Sequence, residues 1–346
     1  MTYRVVQWTT GNVGRRAVQA IVVNPNYELV GLYAYGEDKV GRDAGDLAGI
    51  EPTGVFATNN IEDLLALKPD VVSYNPIHLN LDHLCRILES GINVVSTSEF
   101  ITGRWLGEEV RTRLHDAGVR GGASLYGSGV NPGFANVFAL VSAAICDRVD
   151  SITVTESVDA SGYASAETQI GVGFACDPDD PETAAKSKRG SAVFGDAVAM
   201  MADALGIELD SIDYSVEFAR ATEHIDLGFM TIPTGTVAGL TGSWFGTANG
   251  RTVISCNVMW RMGHAMDPDW PARHGYSVDI KGRPRVKSQF QILPPRDWNE
   301  PDYFGIGMIM TAMPAINAIP AVCAAAPGIV TAQDLPLITA HGFVSQ

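Results

Sequence analysis

The sequence is short of positive charge. Lys and Arg total 24, against 39 Asp and Glu, which gives a formal net charge of −15 over 346 residues. No basic run offsets this excess, so the surface repels phosphate backbones and anionic lipid headgroups. We therefore expect neither nucleic acid nor a membrane as a partner.

Cysteine is also scarce, with five residues, an odd number, and no C-x-x-C pair. This pattern argues against a disulfide framework and a zinc site, and it favours buried thiols in a reducing, cytoplasmic compartment. The first apolar stretch is only about five residues long, shorter than the core of a signal peptide.

Several catalytic motifs are missing. There is no Gly-x-Ser-x-Gly elbow after a buried strand and no P-loop lysine, which argues against a serine hydrolase and a P-loop NTPase. His264 and His274 flank Asp267 and Asp269 without the spacing of metal ligands on a helix. We expect no metal site.

Charge is absent from residues 303–333. A run of this length suggests a membrane span, but Pro314, Pro320 and Pro327 interrupt it and alanine supplies much of it. Small side chains suit close packing inside a protein, so the run predicts a buried, proline-kinked helix.

The first 130 residues alternate strand-like and helix-like segments. The predicted strands are 4–8, 28–34, 55–57, 70–74, 92–96 and 123–126, and a loop covers 36–54. Strands alternating with helices indicate right-handed crossovers, a parallel sheet and the α/β, Rossmann-type doubly wound class.

After residue 133 the pattern changes to longer strands. The predicted strands are 151–158, 215–225, 228–237 and 251–260, with a hairpin of 276–280 and 286–292. Strands joined by short turns indicate a mainly antiparallel sheet covered by helices, and hence an α+β domain. The sequence predicts a dinucleotide-binding domain at 1–133, completed by 305–346, and a second, α+β domain at 134–304.

A glycine turn follows the first strand and opens the first helix. There Gly11 allows close approach to a pyrophosphate, Gly14 allows the helix to pack on the strand, and the amides of the helix start hold the anion. The alternative is a plain tight turn. We assign the whole turn to a dinucleotide: Thr9, Thr10, Gly11, Asn12, Val13, Gly14 and Arg15.

The end of the second strand lacks the acid that usually binds the ribose hydroxyls of NAD; residues 34–36 read Ala-Tyr-Gly. Arg15, Lys39 and Arg42 are cations that suit a 2′-phosphate. We favour NADP as cofactor, with NAD still open, and solvated surface charge is the alternative for these three residues.

Glu99 follows an apolar strand and precedes Phe100, Ile101 and Trp105. A carboxyl group among apolar side chains has a raised pKa, which suits proton transfer near neutral pH. Glu99 is therefore the candidate general acid/base, and the alternative is a helix-capping or ion-paired glutamate.

A second turn, residues 127–134, links the two predicted domains. Asn131 and Pro132 form a rigid turn that can present polar groups to a nicotinamide ring, and an interdomain hinge is the other interpretation. Glu156 and Tyr163 are weaker pocket candidates, for which core or surface roles compete.

Four segments together carry a resemblance over the whole length. They are residues 8–15, 96–100, 129–134 and 317–321, the last followed by Pro327-Gly328-Ile329. With them the chain resembles the native amine dehydrogenases, a group related to 2,4-diaminopentanoate dehydrogenase with a dihydrodipicolinate-reductase-like N-terminal domain. The Lys-x-Asp-x-Pro-Ser-Gly-Thr stretch of true dihydrodipicolinate reductases is absent, which argues against the ring reductase activity itself.

The resemblance implies reversible reductive amination of a small carbonyl compound with ammonia, a homodimer formed through the second domain, and Glu99 as the single acid/base. Alternatives are a carbonyl or imine reductase that uses no ammonia and a non-enzymatic NAD(P)-binding sensor. Beside the glycine turn we assign further residues to the cofactor: Lys39, Asn75, Pro76, Ser98, Asn131, Pro132 and Asn317. To the substrate we assign Phe134, Glu156, Tyr163 and Met308.

Overall fold

A computed structural model describes residues 2–300 and 304–344, and in it the chain divides into two compact units. The first unit combines Met1–Phe134 with Gly305–Gln346, and the second is Ala135–Phe304. The chain thus leaves the first unit once and later returns to it.

The first segment alternates strands and helices, as its hydrophobic pattern predicts. Its elements are β1 (Tyr3–Trp8), α1 (Asn12–Val23), β2 (Tyr27–Tyr33), α2 (Ala44–Ala48), β3 (Ala57–Thr58), α3 (Ile61–Ala66), β4 (Val71–Tyr74), α4 (Leu81–Glu89), β5 (Asn93–Ser96), α5 (Glu108–Gly121) and β6 (Ser124–Gly127). Helix α2 lies inside the loop predicted at 36–54. It forms there because the Asp43 carboxylate caps it by accepting from the Gly45 amide at 2.7 Å.

The second unit holds the longer strands. Its elements are α6 (Ala135–Ala143), β7 (Arg148–Asp159), α7 (Ala166–Gly171), α8 (Pro181–Gly190), α9 (Ala192–Leu205), β8 (Ser211–Ala221), β9 (Ile225–Asp226), β10 (Thr231–Ile232), β11 (Val237–Ala248), β12 (Arg251–Arg261), β13 (Met266–Asp267), β14 (Gly275–Arg283) and β15 (Val286–Phe290).

The last segment supplies α10 (Phe304–Cys323) and β16 (Gly328–Val330). Among the described residues, α10 is the one helix long and apolar enough to cross a membrane. Its Ile316, Ile319 and Val322 are fully buried in the core of the first unit, beside Val5 and Ile21. This face of α10 therefore belongs to the core of the first unit. The uncharged run begins at Tyr303, which lies outside the described residues.

Seven parallel strands form the sheet of the first unit, in the order β16-β6-β5-β4-β1-β2-β3. The order reverses direction between β1 and β4, so the crevice beyond their carboxyl ends is the place where ligands bind in doubly wound folds. The predicted fold class of this unit is confirmed.

The sheet of the second unit has the order β13-β8-β11-β12-β7-β14-β15. Of its described strand pairs, β12 with β7 is parallel and the others are antiparallel. The predicted hairpin is present, with Tyr276 opposite Phe290 and Ile280 opposite Val286. The α+β class with a mainly antiparallel sheet is confirmed.

One predicted strand of the second unit is wrong. Residues 228–237 form a loop around the two-residue strand β10, and the long strand there is β11, one segment later. Strand β11 contains Gly239, Gly242 and Gly246, which weaken a strand signal in sequence. Large side chains fill the space beside two of these glycines. An added Cβ would lie 2.6 Å from Met266 Sδ at Gly239 and 2.7 Å from Leu209 Cδ1 at Gly246.

Candidate active site

The glycine turn joins β1 to α1 at the carboxyl edge of the first unit. Thr9 has a left-handed φ of 73°, which turns the chain sharply out of the strand. A Cβ on Gly14 would overlap the Thr9 carbonyl oxygen. Only glycine therefore lets α1 approach β1 this closely, as the sequence predicts.

The start of α1 has the features of an anion site. Gly11 caps the helix without a side-chain hydrogen bond, and the first turn holds no acidic residue. A Cβ on Gly11 would meet nothing within 4 Å, so the space in front of these amides is open. Arg15 places a buried Nε here that has no hydrogen-bond partner among the described residues. These features fit the pyrophosphate of a dinucleotide.

The loop after β2 bends back over the glycine turn. Lys39 Nζ donates to Thr10 Oγ1 at 3.5 Å, a long hydrogen bond between the two segments. Arg42 is exposed, and Glu37 and Asp38 are exposed in the same loop. The structure thus brings Lys39 to the turn and leaves Arg42 at the surface.

A buried polar network ties the strand ends together. Gln7 Nε2 donates to Thr9 O at 2.9 Å and to Asn75 Oδ1 at 2.7 Å, and Asn75 Nδ2 donates to Thr97 Oγ1 at 2.8 Å. Ser73 Oγ donates to the same Asn75 oxygen at 3.0 Å. The amide of Asn75 therefore braces β1, β4 and the end of β5.

Sequence reasoning missed Gln7, which is fully buried in β1. The signal is present in the sequence, because a glutamine inside a five-residue apolar strand must find hydrogen-bond partners once it is buried. Its partners, however, come from β4 and from the turn, and only the sheet order reveals them.

The loop after β5 is clamped on both sides of Glu99. Ser98 Oγ donates to the Pro76 carbonyl, and Trp105 Nε1 donates to the Glu99 carbonyl at 2.7 Å. Phe100 is only 2% exposed, and its carbonyl lies so close to Gly127 that a Cβ there would overlap it. These contacts hold Glu99 at φ 32°, a strained conformation for a residue other than glycine.

The Glu99 side chain is 36% exposed, neither in bulk solvent nor fully enclosed. Burial raises the pKa of its carboxyl group above the ordinary range, and the nearby imidazole of His78 opposes this rise. His78 Nδ1 lies 3.7 Å from Glu99 Oε2. Sequence reasoning missed His78, although it follows the end of β4 by four residues and so lies at the same edge as Glu99.

The second turn follows β6 at the same edge. The Phe134 amide donates to the Gly129 carbonyl at 2.8 Å, which closes the turn around Asn131 and Pro132. A Cβ on Gly129 would lie 3.7 Å from Thr311 Cγ2, so α10 packs beside the turn.

Helix α10 and the end of the second turn carry three further predicted residues. Asn317 has a buried Oδ1 without a hydrogen-bond partner among the described residues. Met308 is buried in the first half of the helix, whereas Phe134 is 47% exposed. A buried, unsatisfied amide oxygen is unusual in a folded protein and is compatible with a donor from a ligand.

The remaining two predicted residues belong to the second unit. Glu156 on β7 accepts from Trp260 Nε1 at 2.9 Å. Tyr163 lies after β7 with its ring 5.1 Å from that of Phe304, and burial raises the pKa of its hydroxyl. Both side chains are thus anchored by aromatic neighbours of their own unit.

Comparisons with known proteins match both parts of the chain. Residues 135–343 match the family described as 2,4-diaminopentanoate dehydrogenase C-terminal domain. Residues 5–100 match the family described as dihydrodipicolinate reductase, N-terminus. The two matches together account for most of the sequence.

Three relatives are similar over nearly the full length. An amine dehydrogenase of Streptomyces virginiae is 31% identical over 97% of both chains. The 2,4-diaminopentanoate dehydrogenase of Acetoanaerobium sticklandii is 24% identical over 96% of this chain and 93% of its own. The solved structure of an amine dehydrogenase from Mycobacterium smegmatis has a TM-score of 0.83 at 20% identity, covering 99% of this chain and 98% of that one, and so shows the same fold.

Proposed function

Because this chain belongs to the family of 2,4-diaminopentanoate dehydrogenases and amine dehydrogenases, we propose that it catalyses reversible reductive amination of a ketone or aldehyde with ammonia. It is an oxidoreductase acting on CH–NH2 groups with a nicotinamide cofactor. The observation that carries the proposal is Glu99, a carboxyl group with a raised pKa on a clamped loop beside the strand ends.

The glycine turn is the proposed cradle of the cofactor, since its open helix amides suit the pyrophosphate. When bound, the cofactor supplies or accepts the hydride. We propose NADP as the preferred form, because Lys39 donates to Thr10 of the turn and Arg15 directly follows Gly14, so two cations belong to this region. Further residues are proposed to line the same cofactor site: Asn75, Pro76, Ser98, Asn131, Pro132 and Asn317.

Glu99 is proposed to move the protons of the reaction. As a carboxylate it accepts a proton from ammonium, so that free ammonia attacks the substrate carbonyl. As a carboxylic acid it then donates a proton to the carbinolamine hydroxyl, which leaves as water and gives a substrate iminium ready for hydride. A raised pKa suits both steps, because each protonation state must be populated near neutral pH.

The second unit is the proposed site of substrate selection and of homodimer formation. Four residues are proposed for the substrate: Phe134, Glu156, Tyr163 and Met308. The absence of a cationic cluster among the proposed substrate residues favours simple amines and carbonyl compounds over amino acids.

The test is cofactor consumption with a panel of ketones and aldehydes, each with and without ammonium. We expect NADPH oxidation that requires both the carbonyl compound and ammonium, and NADP reduction by the matching amine. Oxidation without ammonium would indicate a carbonyl reductase instead. Binding of NADPH without turnover across the panel would indicate a sensor.

A further inference from the structure

A histidine and a glutamate face each other across neighbouring strand ends. His78 lies between β4 and α4, and Glu99 is the third residue after β5, with 3.7 Å between His78 Nδ1 and Glu99 Oε2. The imidazole is 67% exposed and the carboxyl group 36%. His78 is therefore mostly in contact with bulk water, whereas Glu99 is more enclosed.

The two loops that carry this pair are fastened to each other. The Ser98 hydroxyl donates to the Pro76 carbonyl, and Asn75 donates to the Thr97 hydroxyl at 2.8 Å. Both hydrogen bonds lie within three residues of the pair on each chain segment. The approach of His78 to Glu99 is therefore built into the loops, which limits how far the two side chains can separate.

A nearby cation, Arg111, is engaged by other groups. It donates to the Thr102 carbonyl at 3.2 Å and lies 3.7 Å from Glu108. Among the described residues, His78 is the group whose charge acts on the pKa of Glu99, and it lowers that pKa against the opposing effect of burial. The protonation state of Glu99 thus reflects burial first and the charge of His78 second.

We propose that His78 is a positioning residue for Glu99, which orients the carboxylate and, as imidazolium, keeps it ionised until it accepts the first proton. This inference rests on the proposed role of Glu99 in amine chemistry. It adds to the site a residue that acts through Glu99.

Two substitutions separate the contributions of His78. His78→Asn keeps a donor near the position of Nδ1 but carries no charge. His78→Lys keeps a positive charge at every pH below about 10. His78 is exposed, so neither change disturbs a core. His224→Asn, at an exposed site of the second unit, is the matched control.

The deciding measurement is the titration of Glu99 in protein labelled with 13C at the glutamate carboxyl carbons, with the signal assigned through Glu99→Gln. We expect the pKa of Glu99 to rise further in His78→Asn, since the imidazolium charge then no longer opposes burial, and to keep its wild-type value in His78→Lys and His224→Asn. If the pKa of Glu99 is the same in wild type, His78→Asn and His78→Lys, the proposal is wrong.

Activity provides a second readout. In His78→Asn the acid limb of the pH profile of kcat/KM should move to higher pH, with kcat reduced about tenfold and NADPH affinity unchanged. An unshifted acid limb contradicts the proposal. If the wild-type protein consumes no cofactor with any amine, the proposed function fails, and the Glu99 titration alone then decides on the His78–Glu99 pair.

Discussion

Glu99, the proposed acid/base, is held in a fixed backbone conformation by its neighbours. Its backbone is strained, at φ 32°, and the strain is held by hydrogen bonds from Ser98 and Trp105 and by the close contact of Phe100 with Gly127. Strained residues that the surroundings hold in place are common at active sites, where they fix a reactive group. The geometry therefore supports Glu99 as the acid/base on grounds independent of its sequence context.

The variant Glu99→Gln should bind NADPH with unchanged affinity and turn over about 10²–10⁴-fold more slowly, because glutamine neither accepts nor donates the required proton. The wild-type rate should fall as the pH drops through the raised pKa of Glu99, and this acid limb should vanish in the variant. Steady-state kinetics over pH and fluorescence titration with NADPH measure the two effects.

Glu109→Gln, at an exposed position of α5, is the matched control for Glu99→Gln, and it should keep the wild-type profile. A Glu99→Gln enzyme with near wild-type turnover would remove Glu99 from the mechanism.

Lys39 is the residue on which the proposed preference for NADP depends most directly. Lys39→Met should weaken NADPH binding about 10- to 100-fold and leave NADH binding nearly unchanged, because a hydrogen bond to a charged group contributes about 1.5–3 kcal/mol. Dissociation constants for both cofactors measure the ratio, with the exposed Lys188→Met as control. Equal weakening of NADH and NADPH would show that Lys39 does not recognise a 2′-phosphate.

At the scale of elements, sequence reasoning was most successful in the first unit. The apolar run at 4–8 and the glycine turn after it predict β1 to within one residue, because both signals are local. The prediction of β11 fails for the opposite reason, since the glycines in this strand are explained only by side chains distant in sequence, such as Met266. The His78–Glu99 pair is likewise invisible until the order of β4 and β5 is known.

Pro320 leaves one backbone carbonyl of helix α10 without its usual hydrogen-bond donor. Pro320 has no N–H, so it cannot bond the carbonyl four residues earlier, that of Ile316. The hydroxyl of Tyr27 at the start of β2 donates to that carbonyl at 3.0 Å instead. The strand thus supplies the donor that the helix lacks.

Tyr27→Phe should lower the free energy of unfolding by about 1–3 kcal/mol, because it leaves a buried carbonyl without a donor. The cost should shrink in a Pro320→Ala background, where a new N–H reaches Ile316 O. Urea unfolding of the four proteins of this cycle measures the coupling. Tyr3→Phe is the control, since the Tyr3 hydroxyl makes no hydrogen bond within the described residues. If Tyr27→Phe lowers the free energy of unfolding equally in wild type and in Pro320→Ala, the Tyr27 hydroxyl does not replace the N–H that Pro320 lacks.

At the scale of the whole molecule, the first unit is assembled from two distant parts of the sequence. Strand β16 extends its sheet beside β6, and α10 covers one face with Ile316, Ile319 and Val322, all fully buried. Three such side chains contribute about 5–9 kcal/mol, which is comparable to the entire stability of a typical domain. The proposed dinucleotide site therefore belongs to a unit whose core includes residues about 300 positions after the glycine turn.

A fragment of residues 1–134 should consequently fail to fold cooperatively. It should bind the dye ANS, give no sharp thermal transition and show no affinity for NADPH, because the face covered by α10 would be exposed. A fusion of 1–134 to 305–346 through a flexible Gly-Ser linker restores α10 and β16, and it should regain both the transition and NADPH binding. Circular dichroism melts and NADPH titrations of the two proteins provide the comparison. If the short fragment melts cooperatively and binds NADPH as well as the fusion does, the C-terminal return is dispensable and the dinucleotide site is complete before residue 135.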